Sequence, residues 1–207
     1  MTYSFQDQLK ISKGVSQEND LHTIRYMLDG CVDVSVASLA LDKRGVDYVA
    51  TLRGGAQVMI DAKTRAQGCS RFWQNGPELA IEKWSVVPGG KYKMKGKTGW
   101  TLDEAKLTHM ILYTFHDSDC RSAYLLPFQS LRMAALRNIS AWFDLYKVDQ
   151  QDSGRWQSEA VFVPAEIVIQ AMQDTYSSLD FDCEIKEPQR SSASICSTTQ
   201  TLEFNFK

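Results

Sequence analysis

Three residues have the types and spacing to do chemistry together: Asp47, Asp61 and Lys63, within G-V-D-Y-V-A-T-L-R-G-G-A-Q-V-M-I-D-A-K. Residues two apart on a strand share a face, so Asp61 and Lys63 project together and Ala62 turns away. A tight antiparallel hairpin through Arg53-Gly54-Gly55-Ala56 brings Asp47 near them. Two converging carboxylates make an oxygen-rich site for a hard divalent cation such as Mg²⁺ or Mn²⁺. A lysine beside them can hold or activate a water, or neutralise developing phosphate charge. Hydrolysis of a phosphodiester needs both, because its anionic oxygens repel an incoming hydroxide and a metal offsets that repulsion.

The elements that must position this trio can be read from periodicity. Ser16 opens a helix ending at Gly30, with Leu21, Ile24, Met27 and Leu28 as its buried stripe and Glu18 and Asp20 in its first turns. On a helical wheel Asp20 lies closer to that stripe than Glu18. Val32 to Leu41 alternates like a strand, Val46 to Leu52 and Gln57 to Ala62 form the hairpin, and Glu78 to Val87 reads as another strand. Lys91 to Lys97 alternates Lys with Tyr92, Met94 and Gly96 after the Pro88-Gly89-Gly90 break. A second hairpin runs from Leu107 to Phe115 and Ser122 to Leu126, followed by a long helix over Pro127 to Tyr146. Ala160 to Val163 is a short strand, and Pro164 to Gln173 is a helix with Pro in its first turn. Leu202 to Phe206 reads as a terminal strand or an interaction tail. The order predicts an α/β or α+β chain around a mixed sheet, with one domain over 1–175 and a Ser/Thr-rich tail over 176–207.

With 207 residues, 43% of them hydrophobic, the chain can build a core. Its net charge of -2 argues superficially against nucleic acid. The distribution argues the other way: Lys43 to Lys106 holds 12 Lys/Arg against 6 Asp/Glu, whereas residues 149–207 hold 4 against 10. A polyanion responds to local potential within a Debye length of about 10 Å. Arg65, Arg71, Lys91, Lys93, Lys95 and Lys97 flank the acidic trio and are the expected phosphate contacts; the alternative for the lysine run is a solvated ladder on an edge strand. Phe72, Trp73, Trp84, Tyr92 and Trp100 interleave with these charges, as core residues or as surfaces for base stacking.

Other chemistries lack their residues. His22, His109 and His116 have no metal-ligand spacing, and no G-x-S-x-G, Walker or G-x-G-x-x-G motif occurs. The cysteines at 31, 69, 120, 183 and 196 form no CxxC pair, which fits a reducing cytoplasm. No apolar run reaches membrane-spanning length, and Met1 to Lys10 carries no apolar signal-peptide core, so no membrane partner is expected.

The acidic hairpin resembles the PD-(D/E)XK nuclease superfamily, with Asp47 as the first acid and Asp61-Ala62-Lys63 as the D/E-x-K. P-E-L-A-I-E-K-W, T-G-W-T-L-D-E-A-K-L-T-H-M-I-L-Y-T-F and A-Y-L-L-P-F-Q-S-L-R extend the resemblance to phage-type nuclease-like members, over roughly Ser16 to Arg132. Val46 stands where many members carry Pro. The resemblance implies a restriction-endonuclease-like core, a central mixed sheet flanked by helices. It implies Mg²⁺- or Mn²⁺-dependent cleavage of DNA by an endonuclease, with Asp47 and Asp61 as metal ligands and Lys63 at the water. Glu82 is a further metal ligand, and Glu18 or Asp20 the helix acid. Two strands to cut imply a homodimer, and a phage origin implies the host cytoplasm. The rival expectation is an inactive member of the fold that binds DNA or a regulatory partner.

Overall fold

The computed structural model describes residues 17–65, 69–70, 76–116, 121–177 and 201–203. Helix α1 spans 17–27 and leads into β1 (Cys31–Val36), a single helical turn α2 (Leu39–Asp42), and the hairpin β2 (Tyr48–Leu52) and β3 (Gln57–Arg65). Then come β4 (Glu78–Val86), β5 (Lys97–Thr98), β6 (Met110–His116), β7 (Arg121–Pro127), α3 (Phe128–Leu145), β8 (Val148–Asp152), β9 (Gln157–Pro164), α4 (Ala165–Ser177) and β10 (Thr201–Glu203). The first sheet has the order β1-β2-β3-β6-β7-β10. All its described pairs are antiparallel except β3 with β6, so the central sheet is mixed and the chain is α+β. A second, antiparallel sheet has the order β5-β4-β9-β8.

The alternation of β3 sorts the two faces of the central sheet. Ile60 joins Ile24, Met27, Tyr48, Ala50 and Leu112 in a core under α1. Asp61, Lys63 and Arg65 turn to the opposite face and pair in register with Ile111, Tyr113 and Phe115 on β6. Those three belong to the larger core, which also takes Leu79 and Ile81 from β4, Val161 and Val163 from β9, and buried residues of α3 and α4. The acidic hairpin therefore lies where the central sheet meets the second one.

Three expectations change and a fourth is narrowed. Val32 to Leu41 is not one strand: it ends at Val36, and Ser38 caps α2 by accepting a bond from the Leu41 amide. Leu-Ala-Leu after a capping serine favours a helical turn over continued extension. The helix-flanked single sheet is two sheets, because β4 pairs with β9 rather than joining the centre. Its partner β8, Val-Asp-Gln-Gln-Asp, carries no apolar alternation and so gave no sequence signal. The lysine run is a strand only at Lys97. Before it, Lys93 N–H bonds to the Gly90 carbonyl and Gly89 N–H to that of Met94, turns favoured by the Pro-Gly-Gly segment. At the far end, β10 pairs antiparallel with β7, Thr201 opposite Tyr124, so Thr201–Glu203 is a strand, and residues 204–206 lie outside the described residues. Ser16 and residues 178–200 lie outside the described residues. Among the described residues, no helix is long and apolar enough to cross a membrane.

Gly99 sets how closely β5 and the following loop approach β4. A Cβ there would overlap the Glu82 carbonyl, a backbone atom that cannot swing aside. Gly99→Ala should therefore lower stability by about 1–3 kcal/mol, the usual cost of overpacking. A urea melt checks this; a midpoint unchanged from the parent would show that the loop repacks freely.

Candidate active site

Asp47 is held at the point where the chain enters the central sheet. Its N–H bonds to the Ile60 carbonyl at 2.8 Å, and its own carbonyl accepts the Ala37 N–H at 2.8 Å. The Asp47 side chain then continues the ladder, with Oδ2 accepting the Ala62 N–H at 2.8 Å. The Asp47 and Asp61 carboxyl groups lie close enough that each perturbs the ionisation of the other. Asp61 is nearly inaccessible, with 3% of its side chain exposed, and both its oxygens are taken. Oδ1 accepts Lys63 Nζ at 2.6 Å, and Oδ2 accepts Lys106 Nζ. The expected convergence of Asp47, Asp61 and Lys63 is present.

Lys106 is the member that sequence reasoning missed. It sits in the loop between β5 and β6, inside a polar run (Asp103-Glu104-Ala105-Lys106) where nothing separates it by type from a solvated lysine. Only 6% of its side chain is exposed. Its ammonium lies 5.6 Å from the centre of the Trp100 ring and 5.7 Å from that of Phe128. Its stem fills the space where a Cβ at Gly45 would stand. Trp100 also faces Lys63, 5.4 Å from Nζ to ring centre. One indole thus backs both lysines, an arrangement in which its π face favours the cations.

Glu82 reaches the same neighbourhood from the second sheet. Its Oε2 accepts the Trp100 N–H at 2.8 Å, and its charge feels Lys63, Lys106 and Lys97. It does not complete a three-carboxylate set with Asp47 and Asp61: among the described residues, no three His, Cys, Asp or Glu side chains are close enough to hold one ion. On α1, Asp20 is buried and Glu18 exposed, following the helical wheel. Asp20 accepts the Tyr48 hydroxyl at 3.0 Å in the core under α1, across the sheet from the face that carries Asp61.

The electrostatics follow from burial and crowding. Burial pushes the Asp47 carboxyl up to about 6, helped by the hydrogen bond and charge of Asp61. Burial also acts to raise Asp61, but Lys63, Lys106 and the Asp47 hydrogen bond outweigh it and hold that carboxyl below its ordinary range. Burial lowers Lys106 from its usual value; the Asp61 charge opposes this and Lys63 adds to it. Burial raises Glu82, against the Trp100 N–H and the lysines. Asp61 is thus the fixed anion and Asp47 the group that gains and loses a proton.

Because Asp47 has a folded value above its ordinary 3.8, its ionisation opposes folding. Below about pH 4 it is protonated in both states and costs nothing. As pH rises to about 6 the unfolded chain releases the proton first, and above about pH 7 the full cost, up to about 3 kcal/mol, is in place. Asp47→Asn, whose amide oxygen can still accept the Ala62 N–H, should stabilise the chain at pH 8 and change it little at pH 4. Urea midpoints at the two pH values check this; an equal shift at both would remove Asp47 as the titrating group.

The expected phosphate contacts divide. Arg65 continues the Asp61–Lys63 face of β3 and lays its guanidinium over Phe162, 4.5 Å from the ring centre. Lys97 lies near Glu82. Lys93 and Lys95 are exposed in the turn. Lys91 is committed to Asp152 at 2.8 Å, which also accepts the Tyr92 hydroxyl at 2.6 Å and is drawn down to about 2 by the two. Arg71, Phe72 and Trp73 lie outside the described residues.

Mg²⁺ characteristically takes one or two carboxylates and completes its shell with water and phosphate oxygens; Asp47 and Asp61 would supply that share only if a lysine left an Asp61 oxygen. Compared with family models, curated proteins and solved structures, the chain matches none of them.

Proposed function

We propose that the protein is a PD-(D/E)XK-type nuclease with a restriction-endonuclease-like core, hydrolysing DNA phosphodiesters with Mg²⁺ or Mn²⁺. The observation that carries this reading is the placement of Asp47, on the Ala62 N–H, beside the buried Asp61 with Lys63 Nζ on it. A bound divalent ion supplies Lewis-acid polarisation of the phosphate and a more acidic water. Asp47 and Asp61 would hold it, and below about pH 6 Asp47 would give up its proton on doing so. Lys63, with 29% of its side chain exposed, reaches solvent and orients the attacking water or meets the phosphate. Glu82 and the Trp100 ring keep the lysines aimed at the acids. Arg65 and Lys97 lie on the approach for phosphate contact.

One observation favours a second reading. Both Asp61 oxygens are held by ammonium groups, so the centre is neutralised by the chain's own cations. An inactive relative that binds DNA or a regulatory partner would keep that arrangement. Supercoiled plasmid nicking with Mg²⁺ or Mn²⁺ separates the two. We expect cleavage by the parent and a loss of at least about 100-fold in Lys63→Ala, the scale on which one positioned proton-handling or charge-stabilising group acts. Equal residual cleavage in parent and variant would sink the enzyme reading.

A further inference from the structure

A small cleft adjoins the acidic centre on the second sheet. Ala80 and Glu82 of β4 lie directly across from Phe162 and Ala160 of β9, and Asp149 and Gln151 of β8 from Ala160 and Ser158. All seven therefore share one face of that sheet, opposite the core face of Leu79, Ile81, Val161 and Val163. Ala80, Ser158 and Ala160 have little side chain and leave a hollow of about 110 Å³. Arg65, stacked on Phe162, and Trp100 bound it toward the centre. Asp149, Gln151 and Ser158 bound it elsewhere, and among the described residues none of their side chains makes a hydrogen bond or ion pair.

We infer that this cleft receives one unpaired nucleobase of the DNA strand whose phosphate lies at Asp61 and Lys63; the inference rests on the nuclease reading for that placement. Size limits the class: a closed cavity of about 150 Å³ holds one benzene ring, so an open hollow of about 110 Å³ seats the edge of a single planar ring, the rest of which stands outside, and excludes a base pair. The walls match a base's two kinds of surface. An arginine plane and an indole meet its faces, and a carboxylate, an amide and a hydroxyl meet its hydrogen-bonding edge. Position agrees as well. Asp61, Lys63 and Arg65 step along one face of β3 at about 7 Å per pair, and Glu82 and Trp100 belong to both the centre and the cleft. The substrate class is thus DNA with an unpaired base beside the cut: a single strand, a flap or a frayed end.

Fluorescence anisotropy in EDTA tests this without cleavage or metal. The probes are a fluorescein-labelled octathymidylate and an abasic oligomer of the same length and charge. The full chain should bind octathymidylate at least about tenfold more tightly, the worth of a stacked base. Gln151→Ala, at an exposed position, and Ser158→Ala should each remove at least half of that preference on a logarithmic scale while leaving the abasic affinity unchanged. Equal affinity for the two oligomers in the parent, or variants that keep the full preference, would overturn the inference. If the base preference is found but neither supercoiled plasmid nor octathymidylate is cut with Mn²⁺, the cleft stands and the nuclease reading falls. If nicking is found without base preference, the cleft alone falls.

Discussion

Asp61→Ala should lose metal-dependent cleavage by at least about 1,000-fold and should also unfold more easily, whereas Asp47→Asn should lose cleavage and unfold less easily at pH 8. Both residues are proposed ligands, and about 1,000-fold corresponds to about 4 kcal/mol of transition-state stabilisation, within what a bound metal supplies. The stabilities diverge because the two acids sit differently in the same cluster. Asp61 is the counter-ion of a lysine with only 6% of its side chain exposed. Removing one partner of such a pair typically costs about 3–5 kcal/mol. Asp47 lies near enough to take over part of that role, and Lys63 is exposed enough to turn to water, so about 2–3 kcal/mol is the expected loss. Asp47 is the reverse case, a carboxyl whose ionisation is opposed by burial and by Asp61. Its amide replacement keeps the bond to Ala62 and removes the charge. Nicking rates and urea melts on the same preparations read both effects. An Asp61→Ala protein that retains more than a tenth of parental cleavage would rule out Asp61 as an essential ligand. An Asp47→Asn protein that melts earlier than the parent at pH 8 would rule out the opposition between the two acids.

The opposite signs show what was and was not legible in the sequence. The hairpin was legible because Gly54-Gly55 between two apolar runs specifies it locally, and the period-2 rule then put Asp61 and Lys63 on one face. The face of Asp20 was legible because the α1 stripe is amphipathic. The second sheet was not: β8 is polar on both faces, and the pairing of β4 with β9 is a contact between segments about 80 residues apart. Lys106 was hidden for the same reason. A lysine in a polar loop looks solvated until the fold folds that loop over Trp100, Phe128 and Gly45. Periodicity reports which face a residue takes on its own element, not which element is laid against it. The segment Lys43 to Lys106 illustrates the difference for charge. Its positive balance suggested a surface for phosphates, yet two of its cations, Lys63 and Lys106, are spent on Asp61 and a third, Lys91, on Asp152.

Lys106→Met should raise the affinity for Mn²⁺ by about tenfold while leaving cleavage at saturating metal within about threefold of the parent. The Lys106 ammonium sits on Asp61 Oδ2, an oxygen that a bound ion would need, so in the parent the ion must displace it. At an effective dielectric of about 20, unit charges 4 Å apart interact by about 4 kcal/mol. Desolvation of the buried ammonium offsets part of this, because burial already disfavours its charged form, and a net competition of about 1.4 kcal/mol corresponds to the tenfold change. Methionine keeps an unbranched stem against Gly45, Trp100 and Phe128, so the loop retains its packing. Removing one partner of a buried ion pair is destabilising, but Asp61 keeps Lys63 as its partner and is not stranded, so the loss is smaller than in Asp61→Ala. Calorimetric titration with Mn²⁺, in parallel with nicking, checks the two halves separately. Weaker Mn²⁺ binding in the variant would mean that Lys106 shapes the ligand geometry instead of competing for it. Loss of cleavage at saturating Mn²⁺ with the expected gain in affinity would assign Lys106, alongside Lys63, to the phosphate itself.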